Sequence, residues 1–330
     1  MSKAQRPRIT KEQRRKASDD QARYFLGSYF VDWRLTQVLT LSKLVQQRHT
    51  FYTDLIDEVK TPDDPTGGST IAQEIHNGLH FDAIAHCVQY VEDLFALIEA
   101  ASEPEYFIRN IVTYNAGKIT NRIRRFKATP ENVAEAFHFP LGLTYTSEDG
   151  QQTYERGITT LCALVADLVA FYTDHAFFYN QYKHGLAVAM RPFRNVFTQE
   201  QIDKDKAGDH NPYLVVYDNM NLRAGEAPNR KSFNTRVGVF MPCLTDHTTP
   251  VLPYLEQENN LLRFVYPPDW PHFTFERLVD AAYKVRACLH AFINNYLLLI
   301  QAPDPDGSRH FQLPLDHRTN KACTCPYFPT

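Results

Sequence analysis

The segment Tyr179-Asn180-Gln181-Tyr182-Lys183-His184-Gly185 has the residue types for work on a phosphate group. Asn180 and His184 are four apart and share one face of a helix. Gly185 is suited to end that helix in a left-handed conformation. A histidine at a helix C-terminus is favoured in its charged form by the macrodipole, which suits a general acid or a phosphate ligand. Lys183 and His184 equally fit a plain cap that meets the last carbonyls. Both readings stand.

Three further groups have chemical potential. His310, His317, Cys323 and Cys325 are a set that zinc accepts, and zinc would order a tail otherwise without a core. Four protein ligands would make that ion structural, and no other cofactor is expected. The alternative is an irregular tail in which these residues are incidental, since Cys-x-Cys is a shorter gap than structural sites use. Arg122, Arg124, Arg125 and Lys127 form a basic cluster that would neutralise phosphates, with aromatic neighbours to stack bases. Its bland counterpart is a solvated helix face.

The third group lies on one helix: His76, His80, His86, Asp82, Gln89 and Asp93. At about 100° per residue His80 falls near the core stripe of Ile84 and Val91, while Asp82, His86, Gln89 and Asp93 fall on the side expected to meet solvent. A metal enzyme would need His76, His80 and His175 to converge with carboxylates. Neither the Glu-x-x-His pairs of di-iron bundles nor a His-Glu-x-x-His zinc motif is present. A hydrogen-bonded core histidine is the simpler reading of His80.

The Asn-x-x-Lys-His-Gly end of an apolar helix resembles the motif helix of HEPN-type helical bundles, which include many bacterial RNases and defence proteins. In that family a polar residue, usually Arg, precedes a His by four to six residues, and the pair acts on RNA phosphodiesters, commonly across a homodimer interface. The resemblance implies that His184 matches the His and that Asn180 falls near the polar position. It implies a metal-independent endoribonuclease, with Lys183 neutralising the phosphate and a second copy of the chain as partner. No Arg stands at the family distance before His184, and Arg286 and His290 have only three residues between them. A version that binds RNA without cleaving it therefore stays open, as does an interaction module for a protein partner.

These residues need elements to hold them. Residues 1–17 carry seven Lys or Arg against one Glu and read as a disordered basic arm. Ser18, Asp19 and Asp20 offer an N-cap for a long helix with Leu26, Phe30, Trp33, Leu41, Leu44 and Val45 on its apolar side. After the turn-rich residues 61–70, a helix from Ile71 to Ala101 has the stripe Ile84, Val88, Val91, Phe95, Ile98. Shorter helices follow over Glu103–Lys127 and Pro130–Phe137. The helix from Tyr154 to His184 is apolar on two faces, as expected of one packed centrally.

From residue 191 to 272 short β-prone runs (Phe193–Phe197, Tyr213–Tyr217, Arg236–Phe240) alternate with Asp, Asn and Gly, as in a small antiparallel sheet. The last helix, Thr274 to Leu299, closes the bundle, and residues 301–330 read as an irregular tail. The expected fold is mainly α: a helical bundle over 18–190, a small antiparallel β insertion over 191–272, and a final bundle helix over 273–300.

Composition narrows the function. A net charge of −3 gives no global field toward nucleic acid or an anionic membrane, so basic contacts must be local. The most apolar stretch, Gly157 to Phe178, is interrupted by Asp167 and Asp174, and no membrane span is expected. Scattered cysteines and a polar N-terminus point to a reducing, cytoplasmic compartment. Only 13 glycines in 330 residues, with no Walker A loop, dinucleotide fingerprint or Gly-x-Ser-x-Gly elbow, argue against nucleotide-driven enzymes and common hydrolases.

Overall fold

The computed structural model describes residues 10–59, 69–183, 275–301, 305 and 307–327, together with five short strands between 188 and 265. The fold is mainly α. Nine α-helices are described: α1 Lys11–Ser28, α2 Trp33–Gln46, α3 Arg48–Val59, α4 Ser69–Ala101, α5 Phe107–Val112, α6 Ala116–Arg125, α7 Pro130–Phe137, α8 Glu148–Tyr182 and α9 Phe275–Ile300. A 3-10 turn, Pro104–Tyr106, precedes α5. The chain forms two compact units, one of residues 1–35, 89–173 and 280–330 and the other of residues 36–88 and 174–279. The division falls within α2, α4, α8 and α9.

In the first unit α1 begins well ahead of the expected Ser18 cap. Thr10 and Gln13 form a reciprocal capping box, with Thr10 Oγ1 accepting from the Gln13 amide at 3.1 Å and Gln13 Oε1 accepting from the Thr10 amide at 3.0 Å. The arm from Lys11 onward is therefore helical. Lys11 pairs with Glu105 at 3.0 Å, Arg14 donates to the Tyr106 hydroxyl at 3.0 Å, and Ser18 donates to the Pro104 carbonyl at 2.6 Å. The charge that suggested disorder holds α1 to the 3-10 turn.

Pro130–Phe137 matches its expected span. Thr129 caps it, Pro130 presets the first turn, and His138 takes the left-handed conformation that ends it (φ 54°). The His138 ring then lies against Phe292 and Tyr296, at centroid distances of 5.9 and 5.2 Å. Tyr296 stacks in turn on Phe107 at 5.1 Å. Leu94, Phe95, Ile98, Leu161, Val165, Leu168 and Leu289 complete this core.

α8 starts at Glu148, where Ser147 Oγ accepts from the Gly150 amide. Its expected inner face, Leu161, Leu164, Val165, Leu168, Tyr172, His175 and Tyr179, is buried. The second face is not: Ala166 and Thr173 are exposed, and Cys162 and Val169 half-buried. Among the described residues the helix is buried along one side. Glu148–Ala176 is long and apolar enough to cross a membrane by length and composition alone. Of its apolar residues Leu161, Leu164, Val165 and Leu168 are buried, and Asp167 pairs with Lys284 at 2.6 Å.

The tail is a β-hairpin, not irregular. β6 (Arg309–Asp316) pairs antiparallel with β7 (Lys321–Tyr327), Phe311 opposite Cys325 and Leu313 opposite Cys323, with a bulge between Pro314 and Asp316. Asn295 of α9, only 1% exposed, clamps it. Its carboxamide donates to the Gln312 carbonyl at 3.0 Å and accepts from the Gln312 amide at 2.6 Å. A Cβ on Gly157 of α8 would stand 2.7 Å from that of Leu313, so only glycine lets the hairpin come this close.

The second unit contains α3 and the five-stranded antiparallel meander β1 (Val188–Ala189), β2 (Leu214–Val216), β3 (Val237–Phe240), β4 (Tyr254–Glu258) and β5 (Leu261–Val265), in that order. Two of the expected β-prone runs become β2 and β3, and Phe193–Phe197 lies outside the described residues. Phe81, Ile84 and Val88 of α4 are buried in this unit, and Cys87 Sγ donates to the Leu278 carbonyl at 3.2 Å.

Two outcomes follow for stability. Asn295→Ala leaves the Gln312 amide and carbonyl without their partners and is expected to cost about 2 kcal/mol, read as a lower urea midpoint. Burial pushes the His138 imidazole down from 6.5 to about 4. Stability is then fully present above pH 6.5 and is lost as pH falls toward 4, because only the unfolded chain takes up the proton. The difference is worth about 3 kcal/mol. His138→Asn, which tolerates the left-handed backbone, is expected to flatten the urea midpoint between pH 6.5 and 4.

Candidate functional site

The basic cluster lies at the end of α6. Asn115 caps the helix by accepting from the Lys118 amide at 2.9 Å, and Ile119 and Ile123 anchor it in the core. Phe126, just past its end, meets Phe95 edge-on at 5.4 Å. These contacts fix which cations turn inward. Arg122 forms an ion pair with Glu99 of α4, and Lys118 pairs with the same carboxylate at 2.6 Å. Burial raises the Glu99 carboxyl, but hydrogen bonds from Lys118 and Arg122 overcome this and hold it below its ordinary value. The same bond raises Lys118.

Arg124, Arg125 and Lys127 are exposed. None of the three joins an ion pair among the described residues. They stand at the negative end of the α6 dipole, which favours cations there. Of the four cluster residues, then, one is engaged internally and three face solvent together.

Beside this edge is a network that periodicity did not reveal. Glu92 of α4 is only 6% exposed. It accepts from the Tyr172 hydroxyl of α8 at 2.8 Å and from the Tyr114 hydroxyl at 3.2 Å. Thr120 of α6 shares a 2.8 Å hydrogen bond with the same Tyr172 hydroxyl. Burial, then Glu92, push the Tyr172 phenol well above its ordinary range, with the Thr120 bond opposing.

The side of α4 expected to meet solvent is also occupied. Arg34 reaches both Asp93 oxygens and Gln89 Oε1, so these polar residues meet a guanidinium rather than water. Burial raises the Asp93 carboxyl, with Arg34 opposing. Nothing in hydrophobic spacing marks such a face. A lone Arg in the apolar α2 pattern was the available signal.

The helix-end group lies at the close of α8, in the second unit. The Lys183 amide donates to the Tyr179 carbonyl at 3.0 Å, and its ammonium lies 5.3 Å over the Tyr179 ring. Asn180 belongs to α8 by its backbone, and its side chain lies outside what is described, as does all of His184.

Of the tail set, the hairpin brings Cys323 and Cys325 together and places the histidines elsewhere. His310 belongs to the opposite alternation of β6 from Phe311 and Leu313, and His317 Nε2 lies 3.0 Å from Asp280 Oδ1. His80 is buried edge-on against Phe275 at 4.9 Å, and His175 is buried too. The His76 side chain lies outside the described residues. Among those residues, no group of three or more His, Cys, Asp or Glu side chains is arranged to hold a metal ion.

Comparison with protein-family models, with curated proteins and with solved structures gives no match. Tyr172→Phe removes one of the donors that Glu92 accepts from. It is expected to lower stability by about 1–3 kcal/mol in urea denaturation, as for a buried acceptor losing a partner. An unchanged midpoint would show the Glu92 network to be dispensable.

Proposed function

We propose that this chain binds RNA through the exposed end of α6 and acts on a phosphodiester at the end of α8. The observation that supports the first half is the cluster of Arg124, Arg125 and Lys127, solvent-facing and outside every ion pair among the described residues. With a net charge of −3, attraction of a polyanion must come from such a local patch. The second half rests on residue chemistry. His184 is the general acid or base, or a direct phosphate ligand, while Asn180 orients the phosphate and Lys183 neutralises it. Arg122 and Lys118 are held by Glu99 and contribute little to binding.

Fluorescence anisotropy with a single-stranded RNA tests the binding half. Three phosphate contacts are expected to give a slope of log affinity against log salt near −2, at about 0.7 per contact. The double substitution Arg124→Ala with Arg125→Ala should weaken binding and flatten that slope. Glu99→Gln should strengthen binding by releasing Lys118 and Arg122. A slope unmoved by either change would place RNA elsewhere or nowhere. For the catalytic half, cleavage that persists in EDTA and disappears in His184→Ala is the expected outcome. Binding without cleavage would make the chain a non-catalytic RNA-binding protein.

A further inference from the structure

The Cys323 and Cys325 sulfurs lie 3.3 Å apart on one face of β7. Both residues are buried, 8% and 5% exposed. α8 closes that face: a Cβ at Gly157 would be 3.3 Å from Cys323 Sγ. The Tyr145 hydroxyl donates to the carbonyl of Pro326, the residue after Cys325, at 3.2 Å. Tyr145 is half-exposed and Pro326 exposed, so solvent lies close to this end of the hairpin.

What surrounds the pair selects its chemistry. The inward residues opposite it on β6 are Leu313 and Phe311, which donate nothing to a metal. His317 is engaged by Asp280, and His310 belongs to the other strand face. Tetrahedral zinc takes four ligands, and hard cations take oxygen. Two sulfurs in an apolar wall suit a soft cation instead.

We propose that Cys323 and Cys325 form a two-thiolate site for a soft monovalent cation, of which copper(I) is the physiological representative. On binding, each thiol loses its proton to solvent and two sulfur–metal bonds form. No electron is transferred. With metal–thiolate bonds of about 2.3 Å, as for zinc, the sulfurs stand up to about 4.6 Å apart. The pair therefore opens by rotation about χ1 as the ion enters. The bis-thiolate site carries one negative charge. The inference is independent of RNA binding.

Silver(I), a redox-inert probe of the same softness, provides the test on the full chain. Native mass spectrometry is expected to show one ion retained per chain, lost in Cys323→Ser and Cys325→Ser and kept in Cys162→Ser. Wild-type protein needs no substitution for the second measurement. Silver(I) should slow iodoacetamide labelling of the peptide carrying Cys323 and Cys325 by at least about tenfold, because the thiolate is the species alkylated. Failure of the wild type to retain an ion would overturn the site. So would undiminished retention in both serine variants, or labelling unaffected by silver. Where a serine variant does not fold, the labelling result decides.

Discussion

A carboxylate removed from water must be met by donors, and the C-terminal half of α4 carries three that are. Glu92 is met by two tyrosine hydroxyls, Asp93 by the Arg34 guanidinium, and Glu99 by Lys118 and Arg122. The three sets of donors come from other parts of the chain than α4 itself. An isolated buried charge is far more costly than a hydrogen-bonded one, so each carboxylate tolerates few placements of its partners. Apolar contacts such as Phe95 against Phe126 supply most of the burial energy, but they are not directional. The carboxylates supply direction: Arg34, α6 and Tyr172 are each held at a stated atom. The unit is packed around apolar stripes and registered by charge.

The same pairing decides what the surface offers. α6 carries four cations, Lys118, Arg122, Arg124 and Arg125, and Lys127 follows just past its end. Glu99 engages two of them, and the buried positions Ile119 and Ile123 fix the helix rotation that keeps the others out. A basic run in sequence thus becomes two populations, one structural and one free to meet an anion. Charge counting alone treats them as equal. A carboxylate two turns along α4 from Glu92 makes the distinction.

How much of this was legible in the sequence depended on whether the signal was local. The stripe Ile84, Val88, Val91, Phe95, Ile98 and the span Pro130–Phe137 follow from helical periodicity and from Thr129-Pro130 capping, and both are found. The α1 start was misplaced because the Thr10–Gln13 capping box lies inside a run of charge that reads as disorder. The polar side of α4 looked solvated because its partner, Arg34, stands more than fifty residues away. β4 and β5 were missed although Asn259-Asn260 between two β-prone runs is a recognisable turn. The HEPN-like helix end turns on His184, which lies outside the described residues, so its chemistry rests on residue types.

The hairpin shows why non-local pairing escapes sequence reasoning. Phe311-x-Leu313 and Cys323-x-Cys325 are each too short to register as strands, and the flanking Pro and Asp residues argue for a loop. Two residues elsewhere make them a hairpin. Gly157 removes the side chain that would keep β6 off α8, and Asn295 presents an amide that pairs with Gln312 as a neighbouring strand would. Once β6 is held, the antiparallel register sets both cysteines on its inner side, because the side-chain period of a strand is two. The closeness of the two sulfurs is therefore a consequence of α8 and α9. Spacing identified the two thiols, and the helices determine that they face each other without the histidines.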